Sequence, residues 1–349
     1  MKHNLNRRDF VKTATLGGVW LGLSGNTTSL HNNNQTPSGK RVGIIGLDTS
    51  HVAAFTNTLN NPSAEPEFGG YKVVAAYPTK GSADMSFSIN RIAGFTEQVK
   101  KNGVEIVGSI EELLGKVDVV LLESVDGRPH REQALPVLKA GKRMFIDKPI
   151  SSSLSGAMKI FEDAEKYKVP IFSSSATRFA PAAREIISGA TTGKILGADT
   201  YSPTGKAVGH PDLFFYGIHG VESLFTIMGT GCKNVVNINT DGSDIVVGAW
   251  NDGRIGTFRG VPAGGKGGFG GSAFGVTAIK PIGEFAGYKP LLLAIVEYFD
   301  TGIAPVKPEE TLEILAFMEA ADISKKNGGA PVSIASVMNS AKEQAARLR

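Results

Sequence analysis

The sequence predicts an α/β chain in which a doubly wound parallel sheet precedes a second α/β domain built on a mostly antiparallel sheet. From residue 41 to residue 172, short apolar runs alternate with helix-patterned stretches, as expected of parallel strands covered by helices on both faces. From residue 195 the pattern shifts toward strands in succession, at 195–201, 234–239, 244–250 and 254–258. A length of 349 residues with 41% apolar side chains suits two domains, each with its own core. The expected divisions are a leader and linker over residues 1–39, a nucleotide-binding domain over 40–150 and a second domain over 151–349.

The leader reads as an address. Asn6-Arg7-Arg8-Asp9-Phe10-Val11-Lys12 resembles a twin-arginine export signal, and a mildly apolar stretch follows at residues 14–23. That stretch is short and interrupted by Gly17, Gly18 and Gly22, which argues against a membrane-spanning helix. The expectation is export by the twin-arginine route to the periplasm or cell envelope, with cleavage and retention as an uncleaved anchor both open. The first 36 residues hold Lys2, Arg7, Arg8 and Lys12 against Asp9 alone, so most of the formal charge of +4 belongs to the leader. The remainder is nearly neutral, and no nucleic-acid partner is expected. Cys232 is the single cysteine; it excludes an intrachain disulfide and a cysteine-based metal cluster, and reads as core packing.

Residues 41–46 form an apolar strand ending in glycine, and a helix runs from 51 to 59. A strand at 71–77 leads to a turn with Pro78 and Gly81, then a helix at 90–102 stopped by Gly103. Ser109-Ile110-Glu111-Glu112 has capping-box spacing and opens a short helix. A buried strand at 118–122, a helix at 130–140 and a strand at 143–146 complete the first domain. A helix at 154–167, a strand at 169–172 and a helix at 182–187 precede the second sheet. The glycines at 264, 265, 267, 268, 270 and 271 predict a flexible hairpin or loop before a strand at 273–280. Two closing helices are expected, at 288–299 and 309–326.

The first strand and its helix enclose Gly46-Leu47-Asp48-Thr49-Ser50-His51, where a dinucleotide fingerprint belongs. Only Gly46 survives from the G-x-G-x-x-G pattern; Asp48 and His51 take the second and third glycine positions. Asp48 would face phosphate unless it turned away to cap the helix, while Thr49 and Ser50 could donate hydroxyls. At the end of the second strand no carboxylate awaits a ribose; Lys80 and Ser82 follow instead, which favours NADP slightly over NAD.

Phe145-Ile146-Asp147-Lys148-Pro149 closes the last strand of the first domain. It resembles the Glu-Lys-Pro motif of the Gfo/Idh/MocA family (glucose-fructose oxidoreductase, inositol dehydrogenase and relatives), with Asp in place of Glu. His130, Ala140-Gly141-Lys142 and Arg178-Phe179-x-Pro181 fall in the family's usual order. The resemblance covers roughly residues 41–334. It implies a Rossmann domain plus a domain with a large open sheet, through which copies of the chain would form a homo-oligomer. It also implies an NAD(P)-dependent oxidoreductase acting on a sugar, polyol or derivative. The motif lysine, here Lys148, would contact nicotinamide and substrate, polarising a hydroxyl or stabilising alkoxide charge.

The family's Asp-x-Gly-x-His segment has its counterpart in Phe215-Tyr216-Gly217-Ile218-His219. Gly217 and His219 match, and Phe215 stands where the Asp would be. Glu222 lies one helical turn beyond His219 and could orient it. The resemblance thus names Lys148 and His219 as catalytic candidates, and Lys148, Arg178, Tyr216, His219 and Glu222 as substrate contacts. Candidate cofactor contacts are Gly46, Asp48, Thr49, Ser50, His51, Lys80, Ser82, Glu123, His130, Asp147 and Lys148. His51, His130, His210 and His219 all fall in segments near the expected cleft, yet no tight ligand spacing supports a metal, and none is expected. Two alternatives stay open: a hydrolase or lyase using a tightly held nicotinamide transiently, and a non-catalytic sugar-binding relative.

Overall fold

A computed structural model describes residues 39–262 and 268–348. The twin-arginine pattern, the linker through residue 38 and the glycines at 264, 265 and 267 lie outside the described residues. None of the described helices is long and apolar enough to cross a membrane.

The chain runs β1 (Arg41–Ile45), α1 (Ser50–Leu59), β2 (Lys72–Tyr77), α2 (Ser86–Lys101), β3 (Glu105–Ile106), α3 (Ile110–Leu114), β4 (Val119–Leu122), α4 (His130–Lys139), β5 (Met144–Ile146), α5 (Leu154–Tyr167) and β6 (Ile171–Phe172). These strands form one parallel sheet in the order β3-β2-β1-β4-β5-β6. The order reverses between β1 and β4, so the crevice beyond their carboxyl ends is where such a sheet binds ligands. β4 is buried at all four positions, which is why its sequence reads as an unbroken apolar run. The capping box forms: Ser109 Oγ accepts from Glu112 N at 3.1 Å, and the Glu112 carboxylate accepts from Gly108 N at 2.8 Å.

The second half continues with α6 (Pro181–Ile187), β7 (Ile195–Thr204), α7 (Ile218–Met228), β8 (Cys232–Thr240), β9 (Ser243–Trp250), β10 (Ile255–Pro262), β11 (Gly270–Gly275) and β12 (Ile279–Pro281). It ends with α8 (Lys289–Thr301), α9 (Pro308–Lys326), β13 (Val332–Ser333) and α10 (Ile334–Arg347). The sheet order is β12-β11-β7-β10-β9-β8-β13, antiparallel except for the β7–β10 pair. One face is covered by α7 and α9; the other leaves Leu196, Tyr201, Ile238, Ile255 and Ile279 exposed. Cys232 is buried, as its packing reading requires.

The short strands β3 and β13 lie outside the expected elements, and three further departures stand out. α2 starts at Ser86, not residue 90, because Ser88 is fully buried beneath the first loop. The strand expected at 273–280 is two, β11 and β12, folded back where Gly275 N donates to Ala278 O at 3.0 Å. A third closing helix, α10, buries Ile334, Val337, Ala341 and Ala345 along one face. The first core also reaches beyond its own sheet, since Leu291, Ile295, Tyr298 and Phe299 of α8 pack with Val42, Ile44, Leu121 and Phe145.

Gly46 turns the chain from β1 toward α1 with φ +86°, and a Cβ there would lie 2.5 Å from the Ser124 backbone nitrogen. Left-handed strain and backbone overlap combine at this position. Gly46→Ala is expected to cost about 1–3 kcal/mol of stability, read from urea unfolding midpoints; an unchanged midpoint would refute the clash.

Candidate active site

The ends of β1, β4 and β5 bring three buried side chains together. His51 Nδ1 lies 3.3 Å from Glu123 Oε2 and 3.3 Å from Asp147 Oδ1, and both carboxylates are 0% exposed. Burial alone would deprotonate His51, but the charges and hydrogen bonds of Asp147 and Glu123 outweigh it and raise its pKa to about 10. Burial pushes Glu123 up to about 7, aided by repulsion from Asp147. Asp147 stays below the usual range because His51 and Lys148 overcome its burial. The three ligand-type atoms lie within 4.8 Å of one another, a spacing no sequence motif announced; the proton on His51 already supplies the positive charge that joins them.

Asp147 Oδ1 also accepts from Lys148 N at 2.8 Å, which orients the lysine toward a cavity of about 470 Å3. Lys148 lies 6.0 Å and 5.9 Å from the ring centroids of Phe215 and Tyr216. His219, at the start of α7, lines the same cavity, and so do Thr49, Ser50, His51 and Tyr216. The structure therefore gathers both catalytic candidates around one space.

Donor counting fixes the state of His219. Thr177 Oγ1 donates to His219 O at 3.0 Å, so its contact with Ser175 Oγ at 2.9 Å must use the serine's proton. Ser175 Oγ then accepts from His219 Nδ1 at 2.7 Å. In the neutral ring Nε2 then carries no proton, and it has no hydrogen-bond partner among the described residues. Burial and the nearby Lys148 charge hold the His219 pKa well below 6.5, so the ring is neutral at pH 7.

Several candidates stand elsewhere. Glu222 does not touch the His219 ring: it accepts from Ser174 Oγ, from Ser175 N at 2.8 Å and from Arg178 Nε at 2.8 Å. Arg178 also pairs with Glu310 at 2.7 Å. Arg178 and Glu222 are thus consumed in a buried ion network behind Ser175 and do not line the cavity. His130 is 0% exposed, its nitrogens on Ile150 O and Ser124 O at 3.1 and 2.7 Å; its bonds brace loops and do not reach a ligand. Asp48 does not cap α1, and it lines the second cavity, as Lys80 does. It accepts from Ser88 Oγ at 2.5 Å and Val125 N at 2.9 Å, and burial raises its pKa. Ser82 donates to Asp126, and Lys80 stands exposed at the rim of a second cavity of about 840 Å3.

The sequence reading passed over Ser175 and Thr177, although the serine run at 173–175 follows a strand on the ligand side of the sheet. It also passed over the aromatic wall. Rings continue from His219 to Phe269 (5.2 Å), Phe285 (6.2 Å), Tyr288 (5.1 Å) and His51 (4.6 Å).

Residues 40–174 match the model of an oxidoreductase family with an NAD-binding Rossmann fold, Gfo/Idh/MocA. Residues 40–174 carry that family's Rossmann fold, and the match does not extend into the second half of the chain. An inositol 2-dehydrogenase of Cereibacter sphaeroides is 40% identical over 128 residues, 36% of this chain and 33% of that protein. A 1,5-anhydro-D-fructose reductase of Ensifer adhaerens is 32% identical over 113 residues, 32% of this chain and 33% of that protein. The match spans about a third of the length of these curated relatives. In fold, a scyllo-inositol dehydrogenase of Lactobacillus casei, solved with NAD(H) and scyllo-inositol, aligns with a TM-score of 0.66. It covers 84% of this chain and 99% of its own at 16% identity.

The two cavities meet where a Rossmann domain takes its dinucleotide. Thr49, Ser50 and Val125 line the smaller cavity, while Asp48, Ser124 and Asp126 line the larger. The seam between them is the start of α1, which has no side-chain cap and no acidic residue in its first turn. Its N–H groups are free for a pyrophosphate. The discordant groups are carboxylates: Asp48, drawn back onto Ser88 and Val125, and Asp84, Glu111, Asp126 and Glu132 along the larger cavity, of which Asp84 and Asp126 pair with Arg128.

His51→Leu would leave two buried carboxylates without their cation, at a cost of about 3–5 kcal/mol. The uncompensated Glu123 has a raised folded pKa, so protonating it restores stability at low pH, and the deficit grows as pH rises. Chemical unfolding of both proteins at pH 5 and pH 8 tests this; a deficit independent of pH would refute it.

Proposed function

We propose that this chain is an NAD(P)-dependent oxidoreductase acting on the CH–OH group of a sugar, polyol or derivative. The observation that carries the reading is the pairing, in one cavity, of a neutral His219 with its Nε2 free and the Lys148 side chain. When bound, nicotinamide supplies the hydride acceptor or donor. The chain's own residues handle the oxygen. His219 Nε2 takes the hydroxyl proton, Ser175 holds the ring in the required tautomer, and the Lys148 ammonium stabilises charge on the oxygen as its proton leaves. Gly46, Thr49 and Ser50 would hold the pyrophosphate. Lys80 at the rim of the larger cavity, with no carboxylate at the end of β2, supports a slight preference for NADP.

Two further parts of the reading rest on sequence and surface. The Arg7-Arg8 pattern supports export by the twin-arginine route to the periplasm or cell envelope. The exposed apolar residues on the open face of the second sheet support a homo-oligomer formed through that face.

Lys148→Ala and His219→Ala are each expected to lower turnover about a hundredfold or more with little change in unfolding midpoint, while NAD(P) binding by native mass spectrometry persists. The acid limb of kcat/KM should lie below pH 6.5, because His219 must lose its proton to work and its pKa is depressed. Undiminished turnover in both variants would move the chemistry to other residues of the cavity. Replacing Arg7 and Arg8 together with Lys should leave the protein in the cytoplasm; normal export of that variant, followed by cell fractionation, would remove the twin-arginine assignment.

A further inference from the structure

The smaller cavity is cationic beyond what the proposed reaction requires. His51, Arg91, Lys148 and Lys206 line it, and among the described residues no aspartate or glutamate does. The four come from separate parts of the chain: the start of α1, the second turn of α2, the end of β5 and the loop after β7. Glu123 and Asp147 stand behind His51, fully buried, and compensate its charge, so the excess charge of the lining is that of Arg91, Lys148 and Lys206. Arg91 lies 5.3 Å from the Phe87 ring centroid and has no ion pair among the described residues. Lys206 pairs with Asp212 at 2.8 Å, but that contact is at the surface, where water screens it. Phe215, which also lines the cavity, stands where the family resemblance would place a carboxylate.

Like charges gathered around a half-enclosed space repel one another and are tolerated best where a ligand anion neutralises them. Cofactor phosphates do not account for all of them. A pyrophosphate would sit at the seam on α1, whereas Lys206 belongs to the loop after β7 in the second half of the chain. We propose that the substrate is an acidic sugar, a polyhydroxy ligand whose carboxylate is held by Arg91, Lys206 and the His51–Lys148 wall. Arg and Lys side chains pair with carboxylate and phosphate alike, so a phosphate ester is the competing anion that the test includes. The proposal rests on the reading that this cavity takes a sugar.

The test is calorimetric binding to the purified full chain, with NADP or NAD present. The probes are D-glucuronate, D-galacturonate and D-gluconate against D-glucose, myo-inositol and D-glucose 6-phosphate. At least one carboxylate sugar should bind about tenfold or more tightly than its neutral counterpart, with the advantage shrinking as salt is raised. Arg91→Gln, at an exposed position, should erase most of that advantage and leave neutral-sugar affinity unchanged. Phe215→Asp should weaken the acidic sugars selectively. Equal or tighter binding of the neutral sugars, no binding of any acidic sugar, or preference for the phosphate ester would each overturn the proposal. Nucleotide binding on the same samples separates the two levels: nucleotide bound with neutral sugars preferred overturns only the acidic substrate, whereas neither nucleotide nor sugar bound overturns the underlying reading as well.

Discussion

Where β1, β4 and β5 end, one imidazole is shared by two carboxylates, and the site is arranged around that contact. His51 occupies the place of a fingerprint glycine, so its side chain fills space that a glycine would leave open. Filling it with a buried cation is tolerable only because Glu123 and Asp147 meet its Nδ1. The same contact fixes the neighbouring backbone. Asp147 holds the Lys148 N–H, which sets where the lysine enters the cavity. It also draws both nearby carboxylates behind the cavity wall, which leaves the lining positive.

The two cavity histidines show how neighbours decide protonation. Both are desolvated, which by itself favours the neutral ring. His51 is backed by carboxylates and stays charged; His219 is backed by a serine hydroxyl and faces Lys148, and stays neutral. Behind His219 the charges have been paired off among themselves, with Arg178 between Glu222 and Glu310. That network holds Ser174 and Ser175 through Glu222, and so carries the ring's orientation without touching the ring.

Much of this was legible in the sequence. Buried parallel strands announce themselves as continuous apolar runs, and Asp147-Lys148-Pro149 marks the end of the last one. What was not legible follows from distance along the chain. Helical spacing put Glu222 within reach of His219, but spacing cannot weigh Arg178, 44 residues away, against it. Ser175 and Tyr288 join the cavity from segments whose local patterns concern only a strand end and a helix start. His51 read as a broken glycine fingerprint because its partners, Glu123 and Asp147, lie three and four strands further on. α10 escaped because alanines make half of its buried stripe, and alanine marks a helix face weakly.

α8 returns to the first core after the second sheet has been laid down, and this makes the architecture non-modular. Tyr298 Oη contacts the backbone at Met144 and Pro170, while Tyr288 at the helix start packs against His51. A fragment ending at residue 150 would lack β6 and the α8 cover, leaving the apolar surface around Phe145 bare. Recombination between relatives is constrained in the same way. A chimera that exchanged only the second half would import a foreign α8 onto a native Rossmann core, and the viable crossover unit is a split one: residues 40–174 together with the stretch around 288–301.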